Sequence, residues 1–398
     1  MRVLLINPHI FSGGAERVII SSARWLNKLG VKCDILTLSL ELESLRKEKE
    51  IRLLLPPKEI KYNFNLTIHG AAKRLFLELK ELCSSLNAIK DDYDIFNPHN
   101  FPAYWVFGLV KTPNRAKVVW TCHNVFDVYG PMIAIFQKNG LPHKLFKILT
   151  TFDKRVITRK VNAIVTVSSL HAREITRSYG KQPYIITPGI DFECYAQGNG
   201  RVFREKYNVL DSFLAIHVGN LIPIKNQEIS IRAIAILRNV IPNIRLAVIG
   251  GGPDLLKLKK LVVDLNLEKN VFFTGNMDEH ELRNAYKAAN VNLLPSALES
   301  FGLTPIEALA SGTISIVSKE AGVAEFLEKY KAGYVLENRI PAELAKAILH
   351  VYENPEEAKI KVEKAQTILQ EKFSWKSYAQ RLLEVYKDVL REDTQRLA

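Results

Sequence analysis

Short apolar runs alternate with amphipathic stretches along almost the whole 398-residue chain, and the series occurs twice. In the first half, Val3–Asn7, Cys33–Leu38, Ile95–Asn97, Lys117–Thr121, Ala163–Val167 and Tyr184–Thr187 read as strands. Helical patterns lie between several of them, at Gly14–Leu29 and near residues 69–89, 101–110, 140–158 and 169–178. The series restarts with strands predicted at Leu214–Val218, Ile244–Gly250, Val271–Phe273, Val291–Leu294, Ile314–Val317 and Gly333–Leu336. Helices are expected at Gln227–Leu237 and Asp254–Leu265, and near 341–353, 356–371 and 375–391. Strands that are apolar throughout must be covered on both faces, which points to parallel sheets with crossover helices, an α/β fold.

Between the two series lies TPGIDFECYAQGNG at 187–200, where Pro188, Gly189, Gly198 and Gly200 predict a linker. The expected organisation is a Rossmann-like domain over 1–190, a second over 191–373, and a C-terminal helix over 374–398 packing back on the first.

The net charge of +13 is unevenly placed. Residues 1–200 hold 28 Lys and Arg against 17 Asp and Glu; residues 201–398 hold 27 against 25. The positive field of the first half favours anionic lipid, phosphate-bearing acceptors or nucleic acid. Four scattered cysteines form no CxxC pair, so neither a disulfide framework nor a zinc site is expected, and a reducing cytosol fits. The opening MRVLLINPHIF carries one charge and no small-residue cleavage site, so it reads as a strand and not a signal peptide. No apolar run reaches the ~18 residues of a membrane span.

Three loops suit phosphate. Ser12-Gly13-Gly14-Ala15-Glu16-Arg17 follows the first strand, where paired glycines allow close backbone approach and a helix N-terminus offers free N–H groups. A tight turn explains it equally well. Gly250-Gly251-Gly252-Pro253-Asp254 places Pro253 where a helix's first position is expected. It misses the GxGxxG fingerprint, because Leu255 stands at the last glycine, and no GxxxxGK[ST] occurs, which weakens dinucleotide-oxidoreductase and P-loop readings. In Gly219-Asn220-Leu221-Ile222-Pro223-Ile224-Lys225-Asn226, Lys225 stands at the mouth of a helix and suits phosphate neutralisation. By itself a surface lysine would be the simpler account.

The most informative stretch runs from Ser296 to Gly312. A strand ends at Leu293-Leu294-Pro295, a glycine-containing loop carries Glu299, and a helix beginning at Pro305 carries Glu307. Amides of 301–304 can face an anion, and the carboxylates can accept hydrogen bonds from sugar hydroxyls. Thr304-Pro305-Ile306-Glu307 also reads as a capping box, which would occupy Glu307 without a ligand; Glu299 has no such explanation.

Around these glutamates the sequence resembles the family 4 retaining glycosyltransferases of GT-B fold. The resemblance extends over GGAERV at 13–18, TCHN at 121–124, TVSS at 166–169, PGID at 188–191, VGNLIPIKNQ at 218–227, VIGGGP at 248–253, FTG at 273–275 and ESFGLTPIEALASG at 299–312. It implies two Rossmann-like domains whose parallel sheets face across a cleft. It further implies a nucleotide-sugar donor, retention of anomeric configuration, and no metal or other cofactor. By the same resemblance, Glu299 contacts the donor sugar and Glu307 the ribose. Lys225 pairs with the diphosphate, helped by amides of Phe301, Gly302 and Leu303. Gly13 and Gly14 approach the donor phosphates, and His123 lies close to the transferred sugar; a hydrogen-bonded loop histidine is the plainer account of His123. Gly219, Gly250, Gly251 and Gly275 join the donor site. Nothing resembling the Asp-x-Asp metal motif of the other glycosyltransferase fold is expected.

Three positions depart from the family pattern: Asn220 replaces the usual arginine, Pro188-Gly189 replaces Asn-Gly, and Thr313-Ile314-Ser315 replaces Pro-Val-Val. Either Arg17 or another basic residue substitutes at the diphosphate, or binding there is weaker. The acceptor, a glycan, lipid-linked or small molecule, is expected on the first half. Residues 138–160 there hold seven basic residues and one acid, interleaved with Leu145, Phe146, Ile148, Leu149 and Phe152. That composition suits an anionic membrane surface or phosphate-linked lipid, and equally a domain helix with a solvated basic face. A cytoplasmic enzyme, peripheral on the inner membrane face, is the expected location. The alternatives are a GT-B epimerase or phosphorylase, and a basic nucleic-acid-binding module. The last lacks any recognised motif, so no nucleic-acid partner is expected.

Overall fold

Val3, Leu4, Leu5 and Ile6 have no solvent exposure, as a strand covered on both faces requires. They belong to β1 (Arg2–Ile6) in a computed structural model that describes every residue except 12, 42, 47, 58–67, 113–115, 124–142 and 398. The side chains of 43, 44, 68–72, 143–146 and 392–397 lie outside the description as well. The chain divides into two units, Met1–Gly189 with Trp375–Ala398, and Ile190–Ser374.

In the first unit, β1 pairs with β3 (Lys32–Leu36), which pairs with β5 (Arg52–Leu54). On its other side stand β6 (Ile95–Pro98), β7 (Lys117–Cys122), β8 (Ala163–Thr166) and β9 (Tyr184–Ile185), all parallel, in the order β5-β3-β1-β6-β7-β8-β9. A two-residue pair, β2 (His9–Ile10) with β4 (Ser39–Leu40), extends past β1 and β3. The C-terminal helix Trp375–Leu397 covers one face with Tyr378, Leu382, Tyr386 and Val389, spaced on one helical stripe, and Tyr386 Oη donates to Asn97 Oδ1 at 2.6 Å.

The second unit repeats the plan with β10 (Phe213–Val218), β11 (Ile244–Ile249), β12 (Val271–Gly275), β13 (Val291–Leu294), β14 (Ile314–Ser318) and β15 (Tyr334–Leu336), in the order β12-β11-β10-β13-β14-β15. All pairs are parallel. Both sheets therefore wind outward in two directions from one central strand. Ligands bind such sheets beyond the carboxyl ends of the strands, where the winding reverses. Those places are the loops after β1 and β6, and the loops after β10 and β13.

Some local expectations change. Residues 101–110 form only a 3-10 helix, Ala103–Gly108. The stretch 187–200 does contain the boundary between the two units, at Gly189–Ile190, but it also holds the helix Phe192–Ala196 and leads into Gly200–Lys206. Asp191 and Asn199 start these helices, their side chains accepting from Cys194 N and Arg201 N. Asp and Asn at such positions satisfy helix N–H groups, so a polar, glycine-rich stretch can nucleate helix as readily as it can link domains.

Candidate active site

In the second unit, β10 ends at Val218 and the chain runs through Gly219 and the exposed Asn220 into a 3-10 turn, Pro223–Lys225. Asn226 adopts a left-handed conformation and the helix Gln227–Leu237 follows. The loop after β13 locks onto this turn: Ala297 N donates to Ile224 O at 2.7 Å, and Asn226 Nδ2 to Pro295 O at 3.0 Å. This clamp brings Lys225 Nζ into a hydrogen-bonded ion pair with Glu299 Oε2. Glu299 is held at its backbone too, its N–H donating to Glu320 O and its carbonyl accepting from Gly322 N.

Gly302 then turns the chain at φ 97°, and a Cβ there would lie 2.9 Å from Leu294 Cδ2 and 3.3 Å from Glu299 Cγ, so only glycine fits. This turn overturns the expected capping box. The helix runs Leu303–Ala310 with Gly302 as its N-cap, so it starts two residues before Pro305. Thr304 sits inside the first turn, its hydroxyl buried without a partner among the described residues. Glu307 is buried and accepts from Tyr286 Oη at 2.7 Å. Phe301, Gly302 and Leu303 lie at the helix start, where Val323 N donates to Phe301 O.

The remaining glycines lace the loops together. Gly219 N donates to Ile249 O at 3.0 Å, Leu221 N to Gly251 O at 2.9 Å, and Gly250 N to Gly275 O at 2.9 Å. A side chain on Gly250 would collide with the Gly219 carbonyl. Pro253 is not the first helical residue: the next helix is Leu255–Asp264, with Asp254 as N-cap. His217 on β10 is fully buried, and burial with the nearby Lys225 charge pushes its pKa down to about 3.

In the first unit, Gly13 is the N-cap of the helix Gly14–Lys28, and Arg17 N donates to Gly13 O. Arg17 occupies the first turn of this helix; Ser12 lies outside the described residues. Burial pushes the Glu16 carboxyl up to about 7, against opposing hydrogen bonds from its own backbone and Asn7. Asn7 Oδ1 also accepts from Asn100 Nδ2 at 3.0 Å. His123 follows β7 and is buried, which pushes its pKa down to about 4. Its Nε2 lies 3.0 Å from Nδ1 of His99, the residue after β6. Asn124 is outside the described residues.

The basic stretch 138–160 is described from His143, as the helix His143–Lys160, and the side chains of Lys144, Leu145 and Phe146 are not described. Its one acid is structural: Asp153 is fully buried and accepts from Tyr104 Oη, Trp105 Nε1 and Tyr179 Oη at 2.6–2.8 Å. Lys147, Ile148, Lys154, Arg155, Arg159 and Lys160 remain exposed. An Asp-x-Asp triplet does occur, Asp92-Tyr93-Asp94, contrary to expectation. It precedes β6, at the amino ends of the strands and so opposite to the loops described above, where Asp94 accepts from Arg2 N and Tyr93 Oη donates to Asp34.

Comparison with known proteins places the chain in a family and a fold. A family model described as Glycosyltransferase Family 4 matches residues 12–193, and one described as Glycosyl transferases group 1 matches residues 201–368. A D-inositol 3-phosphate glycosyltransferase of Corynebacterium glutamicum is 26% identical, covering 98% of this chain and 97% of its own. Sucrose-phosphate synthase of Thermosynechococcus elongatus superposes with a TM-score of 0.81 at 20% identity, covering 98% and 99% of the two chains. The HepE protein of Anabaena, crystallised with UDP and glucose, gives 0.77 at 18% identity, covering 98% and 100%. The chain is a family 4 glycosyltransferase of the GT-B fold. Epimerase, phosphorylase and nucleic-acid-binding readings are not favoured.

Three residues of this glycosyltransferase were not singled out from the sequence, though each lies beside a predicted site residue of its own unit: His99 beside His123, Tyr286 on Glu307, and His217 near Lys225. For His99 a signal existed, since Pro98-His99-Asn100 directly ends a predicted strand. Tyr286 and His217 lie within element interiors, and nothing in their spacing marks them.

Proposed function

We propose that the enzyme transfers a sugar, with retention, from a nucleoside-diphosphate sugar bound by the second unit to an anionic acceptor bound by the first. The Lys225–Glu299 pair carries this reading. It sets a cation and a sugar-recognising carboxylate side by side where the second sheet reverses its winding, next to the helix start at Gly302. The UDP and glucose in the HepE structure support the donor class. The relatives' inositol 3-phosphate acceptor and the basic first half support a phosphate-bearing acceptor. In the transfer, the bond from the anomeric carbon to the leaving phosphate oxygen breaks as the acceptor oxygen bonds to that carbon from the same face. The acceptor's proton passes to the departing phosphate, whose charge Lys225 and the helix amides neutralise without a metal.

Nucleotide release from UDP-, GDP- and ADP-sugars, measured with inositol phosphate and lipid-linked acceptors, tests the reading. Product with the donor's anomeric configuration is expected. An inverted product, or no release with any pair, would overturn it.

A second reading concerns location at an anionic membrane surface of the cytoplasm. The exposed Ile148, at 62%, among Lys147, Lys154 and Arg155 favours it. Among the described residues no helix is long and apolar enough to cross a membrane. Salt-sensitive sedimentation with phosphatidylglycerol vesicles, weakened by Ile148→Glu, is the expected result.

A further inference from the structure

His99 and His123 stand one residue beyond the carboxyl ends of the neighbouring strands β6 and β7. The β6–β7 register sets Phe96 opposite Val118, so His99 falls opposite Thr121, and His123 lies two residues further on the same side. The His99 backbone is fixed at both ends: its N–H donates to Ile6 O at 2.9 Å, and its carbonyl accepts from Trp120 Nε1 at 3.0 Å. The ring has little freedom, and its Nδ1 meets His123 Nε2 at 3.0 Å.

One proton occupies that line. If His123 Nε2–H donated, His99 would carry its own proton on Nε2, which is buried with no partner among the described residues. If His99 Nδ1–H donates, Nε2 is left as a bare lone pair. Orphaned buried N–H groups are the rarer defect in folded proteins, so the second arrangement is favoured. Burial keeps both rings neutral near pH 7.

We propose that His99 is a positioning residue whose Nδ1–H holds His123 in the tautomer protonated at Nδ1, so that His123 enters sugar transfer as a neutral hydrogen-bond donor. The proposal rests on the reading of His123 as a residue at the transferred sugar. In that role His123 donates to a sugar oxygen and does not abstract the acceptor's proton.

Ring-nitrogen NMR of histidine-labelled protein tests it, with the His123 signals assigned by their loss in His123→Gln. Wild type is expected to show His123 protonated at Nδ1. His99→Ala should give mixed tautomers and lower kcat at least tenfold with KM nearly unchanged. His99→Asn, whose Nδ2–H replaces the Nδ1–H donor, should restore the single tautomer and most of the rate. A wild-type His123 protonated at Nε2, or a His99→Ala variant that keeps one Nδ1–H tautomer, would overturn the proposal. Full transfer by His123→Gln would overturn the positioning role by removing His123 from the reaction. The wild-type spectrum, which needs no turnover, distinguishes that failure from a wrong tautomer.

Discussion

Lys225 Nζ donates to Glu299 Oε2, so the cation assigned to the diphosphate and the carboxylate assigned to the sugar neutralise one another. Their side chains are 19% and 18% exposed, and water screens the pair only in part. An arriving diphosphate competes with Glu299 for the same ammonium. Glu299→Gln should therefore bind free nucleoside diphosphate more tightly while transferring sugar poorly. Lys225→Ala should lose a charged hydrogen bond of about 1.5–3 kcal/mol, a weakening of roughly 10–150-fold. Calorimetric titration of both variants reads this directly. Unchanged affinity in Lys225→Ala would remove this loop from the diphosphate site.

Glu307 now has a partner in Tyr286 in place of a capping role. Glu307→Ala should lower nucleotide affinity, as a ribose contact would, and lower stability because the Tyr286 hydroxyl loses its acceptor. A double-mutant cycle with Tyr286→Phe should return a coupling of about 1.5–3 kcal/mol in urea denaturation. Additive effects would show that the hydrogen bond contributes nothing.

Asn220 is exposed, and its carbonyl rather than its side chain holds the loop, accepting from Gln227 Nε2 at 3.0 Å. An arginine can therefore replace it without breaking the turn. Asn220→Arg should keep the melting temperature and tighten nucleoside-diphosphate binding by up to ~1.5–3 kcal/mol. Weaker binding would mean that another cation already occupies the phosphate's second side.

Burial lowers the pKa of four histidines: His123 to about 4, His171 and His217 to about 3, and His99 in the same direction. Below about pH 6.5 the unfolded chain takes up protons that the folded chain refuses, so stability rises with pH and is lost on acidification. Each histidine contributes a slope of up to ~1.4 kcal/mol per pH unit between about 6.5 and 4. Glu16 acts oppositely: its carboxyl, raised to about 7, makes stability fall as pH rises from about 4.5 to 7. Urea denaturation at pH 7 and pH 5 should show a net loss at pH 5, and His217→Gln should reduce it. A pH-independent midpoint would contradict the neutral, buried state of these rings.

What the sequence determined by itself was the architecture and the family. Uniformly apolar strands and intervening helices are local patterns, and they left few options other than two doubly wound sheets. The run from Glu299 to Gly312 is contiguous, so its residues were legible together. What only the tertiary structure decided were the pairings across long separations. Lys225 meets Glu299 because two loops from different strands share backbone hydrogen bonds, and Tyr286 reaches Glu307 from another helix. The capping box failed for a related reason: Gly302, packed against Leu294 and adopting positive φ, started the helix before Thr304 could cap it. His99 and His123 are 24 residues apart, and only the parallel register of β6 and β7 brings their rings to one hydrogen bond. Local propensity says which elements form; the register and crossover order of the assembled sheets choose which side chains face each other.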